Sequence, residues 1–310
     1  MDHNALAHDL NFSGGAPNAE PVRFSSVEQV ETVLRDADYL PDRGLATAIF
    51  LALGMQRPLL LEGEAGVGKT EVAHTLTRVL GRDLIRLQCY EGIDAGQAIY
   101  EWDYSRQLLY ARAVQDGEVD RRSRFAELYG QEFLLERPLL RAVQAGAGAV
   151  LLIDELDRAD DEFEAFLLEI LSDYAVTIPE MGTVRAAEPP VVIITSNRTR
   201  ELHDALKRRC LYHWIDFPDL EREVAIMRLR VPGVSEELAR AVAATAAQLR
   251  GLGLVKEPGI AEVIDWTRAL GLLGVTRLDP AAADATLGSA VKNREDLRRV
   301  RQVLPNLIHD

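Results

Sequence analysis

Eight consecutive residues, Gly63-Glu64-Ala65-Gly66-Val67-Gly68-Lys69-Thr70, fit G-x-x-x-x-G-K-[ST] at every fixed position. That spacing suits a phosphate cradle. Glycines let backbone N–H groups turn inward onto oxyanions. A helix starting there points its positive end at the same charge. Lys69 is then placed to reach the terminal phosphates, and the Thr70 hydroxyl can ligate Mg²⁺. The flanks agree. Pro58-Leu59-Leu60-Leu61 reads as a short buried strand, and Val72, Leu76, Val79 and Leu80 fall on one helical face that stops at Gly81.

A second constellation is Val150-Leu151-Leu152-Ile153-Asp154-Glu155, an apolar run ending in two acids. A strand covered on both faces has this composition, and in an α/β sheet ligands gather at the carboxyl ends of strands. Asp154 would serve the Mg²⁺ shell, and Glu155 would orient or deprotonate the attacking water. The second acid favours hydrolysis over nucleotide binding alone. Val191-Val192-Ile193-Ile194-Thr195-Ser196-Asn197 is another buried strand with a polar end. Asn197 either hydrogen-bonds the attacking water or the terminal phosphate, or it caps a turn. Leu206-Lys207-Arg208-Arg209-Cys210 is a basic cluster in an acidic protein. It is either a solvated helix end or a source of arginine that reaches a neighbouring subunit's nucleotide.

These residues need an alternating scaffold. Strands and helices interleave up to about residue 218, after which the chain is helical and Ala-rich. The fold class expected is α/β, a three-layer αβα P-loop core with a parallel sheet, followed by a small all-α lid. The expected division is a flexible tail at 1–25, a nucleotide-binding domain at 26–218 and a helical lid at 219–310. Within it, Asp42–Leu53 and Arg137–Ala145 read as helices, Leu84–Cys89 as a strand, and Val176–Ile178 with Thr183–Arg185 as a hairpin. Ile99–Ala113, rich in aromatics, reads as a second hairpin. Tyr100, Trp102, Tyr104 and Tyr110 in that stretch either pack locally or grip a client. Tyr39 and Leu40 stand where they could stack on adenine or simply pack. Ser235 and Asn293 open helices.

Composition narrows the function further. The 310 residues carry a net charge of −14, which repels nucleic-acid phosphates. Cys89 and Cys210 form no metal-spaced pair and read as reduced thiols of a cytoplasmic protein. No apolar run has the length of a membrane helix, and the N-terminus lacks the pattern of a secretory signal.

Taken in order, these motifs resemble the AAA+ superfamily: Walker A at Gly63–Thr70, Walker B at Val150–Glu155, sensor 1 at Asn197, then the paired arginines. The resemblance narrows to the MoxR family. Asp154-Glu155-Leu156-Asp157-Arg158-Ala159 is similar to that family's D-E-x-N-R-A, with Asp157 in place of Asn, and Phe166-Leu167-Leu168-Glu169 is similar to its A-L-L-E helix. Leu87-Gln88-Cys89-Tyr90-Glu91-Gly92, Tyr100-Glu101-Trp102-Asp103-Tyr104 and Ala205–Tyr212 resemble the carbon monoxide dehydrogenase accessory (CoxD) subgroup. The resemblance implies a ring, usually hexameric, with ATP and Mg²⁺ between subunits. It also implies a von Willebrand A domain partner and a client metalloenzyme whose metal cofactor is matured or inserted. Arg208 and Arg209 would jointly carry the finger role, and Gln88 would be a polar switch for Glu155. One departure stands out. Relatives carry a sensor 2 arginine at a lid helix start, whereas Glu257-Pro258-Gly259-Ile260-Ala261-Glu262 has none, leaving Lys256 or Arg268 as substitutes. Two other classes compete: a nucleotide-gated scaffold, which Glu155 argues against, and a nucleic-acid motor, which the acidic balance disfavours.

Overall fold

The computed structural model describes residues 24–113 and 127–308. The tail expected at 1–25 therefore lies almost entirely outside the described residues.

In chain order the first elements are α1 (Val27–Asp36), α2 (Arg43–Met55), β1 (Leu59–Glu62), α3 (Lys69–Leu80) and β2 (Asp83–Gln88). Next come α4 (Ala95–Ala98), β3 (Tyr100–Trp102), α5 (Tyr104–Ala113), β4 (Leu134–Glu136), α6 (Pro138–Ala145) and β5 (Ala149–Asp154). They are followed by α7 (Asp161–Asp173), β6 (Ala175–Ile178), β7 (Gly182–Arg185), β8 (Val191–Ser196), α8 (Asp204–Arg209) and β9 (Leu211–Trp214). The chain closes with α9 (Leu220–Arg230), α10 (Glu236–Arg250), α11 (Ile260–Leu272), α12 (Pro280–Thr286) and α13 (Arg294–Leu307). Five strands form one sheet in the order β2-β5-β8-β1-β9. β2 and β5 run parallel from Asp83↔Ala149 to Gln88↔Asp154, and β5 and β8 from Val150↔Val191 to Ile153↔Ile194. Every residue of β5 is buried, as a strand covered on both faces requires.

The described residues gather into two compact units. One comprises Ala48–Leu60 and Leu76–Tyr212; its core joins Leu151, Ile153, Val192 and Ile194 of the sheet to Phe163, Leu167, Ile170 and Leu171 of α7. Those α7 positions recur at helical spacing, and Asp160 caps the helix by accepting from Phe163 N. The other unit comprises Ser26–Thr47, Leu61–Thr75 and the chain from His213. Its core is helical, with Val242, Ala243 and Ala246 of α10 packed among Val263, Trp266 and Leu270 of α11 and Val300 and Leu304 of α13. Ser235 and Asn293 cap α10 and α13 as their positions predicted.

The hairpin expected over Ile99–Ala113 is replaced by something else. β3 pairs antiparallel with β4, Tyr100↔Glu136 to Trp102↔Leu134, and the chain after β3 turns directly into α5. Asp103 drives that turn, since its carboxylate accepts from Arg106 N at 2.9 Å and so caps the first turn of α5. Of the four aromatics named, Trp102 is buried, whereas Tyr104 is largely exposed. Trp102 lies edge-on to Tyr129 with centroids 5.2 Å apart, and Tyr110 to Phe133 at 5.4 Å. The other expected hairpin forms, with β6 antiparallel to β7.

Candidate nucleotide site

In the unit that holds the phosphate loop, β1 is fully buried and hands the chain to Gly63. The loop then runs through Gly66 at φ +81° and Gly68 at φ +99°, conformations an L side chain rarely adopts. α3 begins at Lys69, so the loop's N–H groups sit at the positive end of a helix. Lys69 is almost wholly buried, and its Nζ donates to Gly63 O and Glu64 O, both at 2.8 Å. The ammonium is thereby folded across the loop it serves. Glu64, Ala65 and Val67 fill the variable positions. Thr70 follows Lys69 in the first turn of α3.

Beside the loop is a cavity of about 200 Å³ with apolar walls from Tyr39, Leu40, Val67, Ile215, Pro218, Ile226, Ile260 and Ile264. An adenine ring suits such walls, and Tyr39 and Leu40 do line it. Arg222 of α9 fixes that wall: its Nη2 donates to Leu40 O at 2.7 Å, its Nε to the same oxygen at 3.2 Å, and its Nη1 to Asp42 Oδ2 at 3.3 Å. Asp42 also accepts from Leu45 N at 2.7 Å, capping α2. Burial would raise the Asp42 carboxyl, yet the Leu45 N–H together with His213 and Arg222 outweighs it and holds the group below its usual range. Burial pushes the neighbouring His213 down.

Neither residue considered as a substitute for a sensor 2 arginine lines this cavity. Lys256 faces Glu262 at 3.9 Å, and Arg268 pairs with Asp265 at 3.3 Å. The arginines that line the cavity are Arg222 and Arg230, the latter paired to Glu71 at 3.0 Å. At the start of α11 the contact to the loop is made by backbone. Ile260 N donates to Gly66 O at 2.9 Å, and a Cβ on Gly259 would lie 2.7 Å from Gly66 Cα.

In the other unit, Asp154 ends β5 and is 2% exposed. Oδ1 accepts from Thr195 Oγ1 at 2.6 Å, and Oδ2 accepts from Arg86 Nε at 3.0 Å and from Arg86 Nη2. Glu155 follows in the left-handed region at φ +55°, with its N–H bonded to Thr195 Oγ1 at 2.9 Å. That turn carries its side chain away from the strand line and into a polar cavity shared with Glu91, Arg158, Asn197 and Thr199. There Glu155 Oε2 accepts from Gln88 Nε2 and from Arg158 Nη1, each at 3.1 Å. Asn197 is placed by Asp157, a buried carboxylate that accepts from Asn197 N at 3.1 Å, Thr199 N at 2.9 Å and Thr199 Oγ1 at 2.7 Å. The structure thus brings Glu155 and Asn197 to one cavity. Arg208 and Arg209 end α8, both exposed to solvent.

The donors fit magnesium by type. Asp154 and Thr70 each offer a hard oxygen, the donor type that suits magnesium.

Sequence reasoning had assigned no role to Arg86 or Thr195. Arg86 and Gln88 stand two apart on β2 and so share a face, which is the signal that joins them. Thr195 was visible as a hydroxyl inside an otherwise apolar strand.

Residues 58–210 match the AAA domain of the dynein-related subfamily. Protein NorQ of Paracoccus denitrificans is 26% identical over 279 residues, spanning 86% of this chain and 93% of NorQ. The gas vesicle ATPase GvpN2 of Halobacterium salinarum is 25% identical over 277 residues, 83% of this chain and 76% of GvpN2. Among solved structures, the RuvB branch migration motor of Thermotoga maritima aligns with a TM-score of 0.46 at 16% identity, over 91% of this chain and 78% of RuvB. No helix among the described residues is long and apolar enough to cross a membrane. Over residues 58–210 the chain is thus similar to the AAA domain of the dynein-related subfamily, and over most of its length to NorQ and GvpN2.

Proposed function

We propose that this chain binds ATP with Mg²⁺ at Gly63–Thr70 and hydrolyses it as a MoxR-type chaperone. One observation carries the hydrolytic reading: Glu155 is turned off the end of β5 into a polar cavity that Asn197 also lines. A carboxylate held there by Gln88 and Arg158 is a general base in reach of a water, and Asn197 is a second hydrogen-bonding group for it. Lys69 would neutralise the terminal phosphates, and Thr70 and Asp154 are the oxygen donors that would serve the cation. When bound, magnesium would draw charge off the phosphate oxygens.

Arg208 and Arg209 act on the nucleotide of a neighbouring copy in a ring, which we take to be hexameric. The C-terminal helices, 219–310, serve as the lid. The client is a metalloenzyme awaiting its cofactor, reached together with a von Willebrand A domain partner. The stretches Leu87–Gly92, Tyr100–Tyr104 and Ala205–Tyr212 support a carbon monoxide dehydrogenase-like client. Steady-state ATP turnover tests the core claim. Glu155→Gln should retain nucleotide and lose turnover by at least about 100-fold, and Lys69→Ala should lose both. Wild-type turnover in either variant would refute the site.

A further inference from the structure

α8 has only six residues and leaves its last carbonyls without helical donors. Three consecutive ones converge on a single side chain from far away in sequence. Arg57 Nη2 donates to Arg208 O at 2.6 Å and to Cys210 O at 3.3 Å, and Arg57 Nε donates to Arg209 O at 3.0 Å. We propose that Arg57 is the positioning residue that aims the arginines ending α8 at the neighbouring subunit; this rests on the trans-acting reading above.

The contact has the chemistry of a clamp. Carbonyls at a helix C-terminus carry the negative end of its dipole, and a planar guanidinium with fixed N–H directions can bridge several at once. Among the described residues no carboxylate pairs with Arg57, so the guanidinium is committed to these oxygens. Its own backbone is anchored on both sides. Arg57 N donates to Ala52 O at 3.1 Å, and Pro58 O accepts from Leu211 N at 2.8 Å. The segment Arg208–Leu211 is therefore held by a side chain and by a strand ladder at once.

The side chains at the clamp are sorted by it. Lys207 turns to Glu201 at 2.7 Å, and Arg209 Nη1 leans on Leu168 O at 3.3 Å. Arg208 is exposed, and its side chain makes no hydrogen bond or ion pair among the described residues. A cation that must reach another molecule gains from a backbone that does not wander, because a displacement of about 1 Å at a reacting group can cost about 100-fold in rate.

Subunit mixing tests this. Arg57→Gln should lower kcat for ATP about 10- to 100-fold while KM stays within about twofold, because its own phosphate loop is untouched. Arg57→Lys should recover little, since a point charge does not bridge three carbonyls. The decisive step adds Glu155→Gln subunits, inactive but with intact Arg57, Arg208 and Arg209. If Arg57 acts through the arginines, these subunits supply well-aimed ones and turnover of Arg57→Gln rises severalfold. The doubly substituted Arg208→Ala/Arg209→Ala chain, mixed the same way, is the calibrant. Rescue of the calibrant without rescue of Arg57→Gln overturns the role of Arg57 and leaves the trans reading intact. Failure to rescue either overturns both.

Discussion

Gln88 Nε2 donates a 3.1 Å hydrogen bond to Glu155 Oε2 across two neighbouring parallel strands. The bond is one link in a chain. Arg86 donates to Gln88 Oε1 and to Asp154 Oδ2, and Arg158 closes the far side of Glu155. The two acids of the Walker B stretch are therefore held through a common pair of β2 side chains. Replacing Gln88 by Ala should leave Glu155 to Arg158 alone. We expect kcat to fall about tenfold, the equivalent of one positioning hydrogen bond, with KM for ATP little changed. Steady-state kinetics of Gln88→Ala against wild type decides it; an equal rise in KM would show that Gln88 acts on binding instead.

Thr195 offers a cleaner test of the same network. Its Oγ1 donates to Asp154 and accepts from Glu155 N, so one hydroxyl serves both acids. Thr195→Val keeps the shape and strands both partners in a buried place. It should cost about 1–3 kcal/mol of stability and most of the turnover. Thr195→Ser keeps the hydroxyl and should retain both. Chemical denaturation and ATP hydrolysis of the two variants read this directly.

Arg222 predicts the opposite kinetic signature. It holds the carbonyl of Leu40 and thereby one wall of the apolar cavity. Arg222→Met should raise KM for ATP about tenfold with kcat preserved, because binding is loosened equally in the ground state and the transition state. Titration with a fluorescent adenine nucleotide is the matching equilibrium measurement.

Acidity provides a fourth test. His213 is buried beside Asp42, and burial holds its pKa below the ordinary value. The unfolded chain thus takes up a proton at a pH where the native chain still resists it. Stability from this residue is whole above about pH 6.5 and declines as pH falls below that. His213→Gln should lose less of its melting temperature between pH 7.5 and 5.5 than wild type does. Equal losses would assign the acid sensitivity elsewhere.

How much of this could be read from sequence follows from which interactions are local. The phosphate loop was legible because its chemistry is written in eight adjacent residues, and Asp154 and Asn197 because each closes an apolar run that can only be a buried strand. The partners that hold them were not, because Arg86 reaches Asp154 across 68 positions and Arg57 reaches Arg208 across 151. No periodicity spans such a distance. The misread hairpin has a different cause. Tyr100, Trp102 and Tyr104 alternate as a strand would, yet Asp103 caps a helix between them, and the true partner of β3 is Leu134–Glu136. A cap signal outweighed an alternation that ran for only a few residues. The missing arginine at the start of α11 was legible as a departure. The backbone contact from the start of α11 to Gly66 was not legible, since it is made by atoms every residue has.

Gly66 and Gly259 meet with no side chain between them, and Ile260 N completes the junction on Gly66 O. The Glu262 carboxylate flanks the junction, 3.2 Å from where a Cβ on Gly66 would stand. The loop and the start of α11 fit together by shape, and a single methyl at either glycine would crowd the other's Cα and force the two backbones apart.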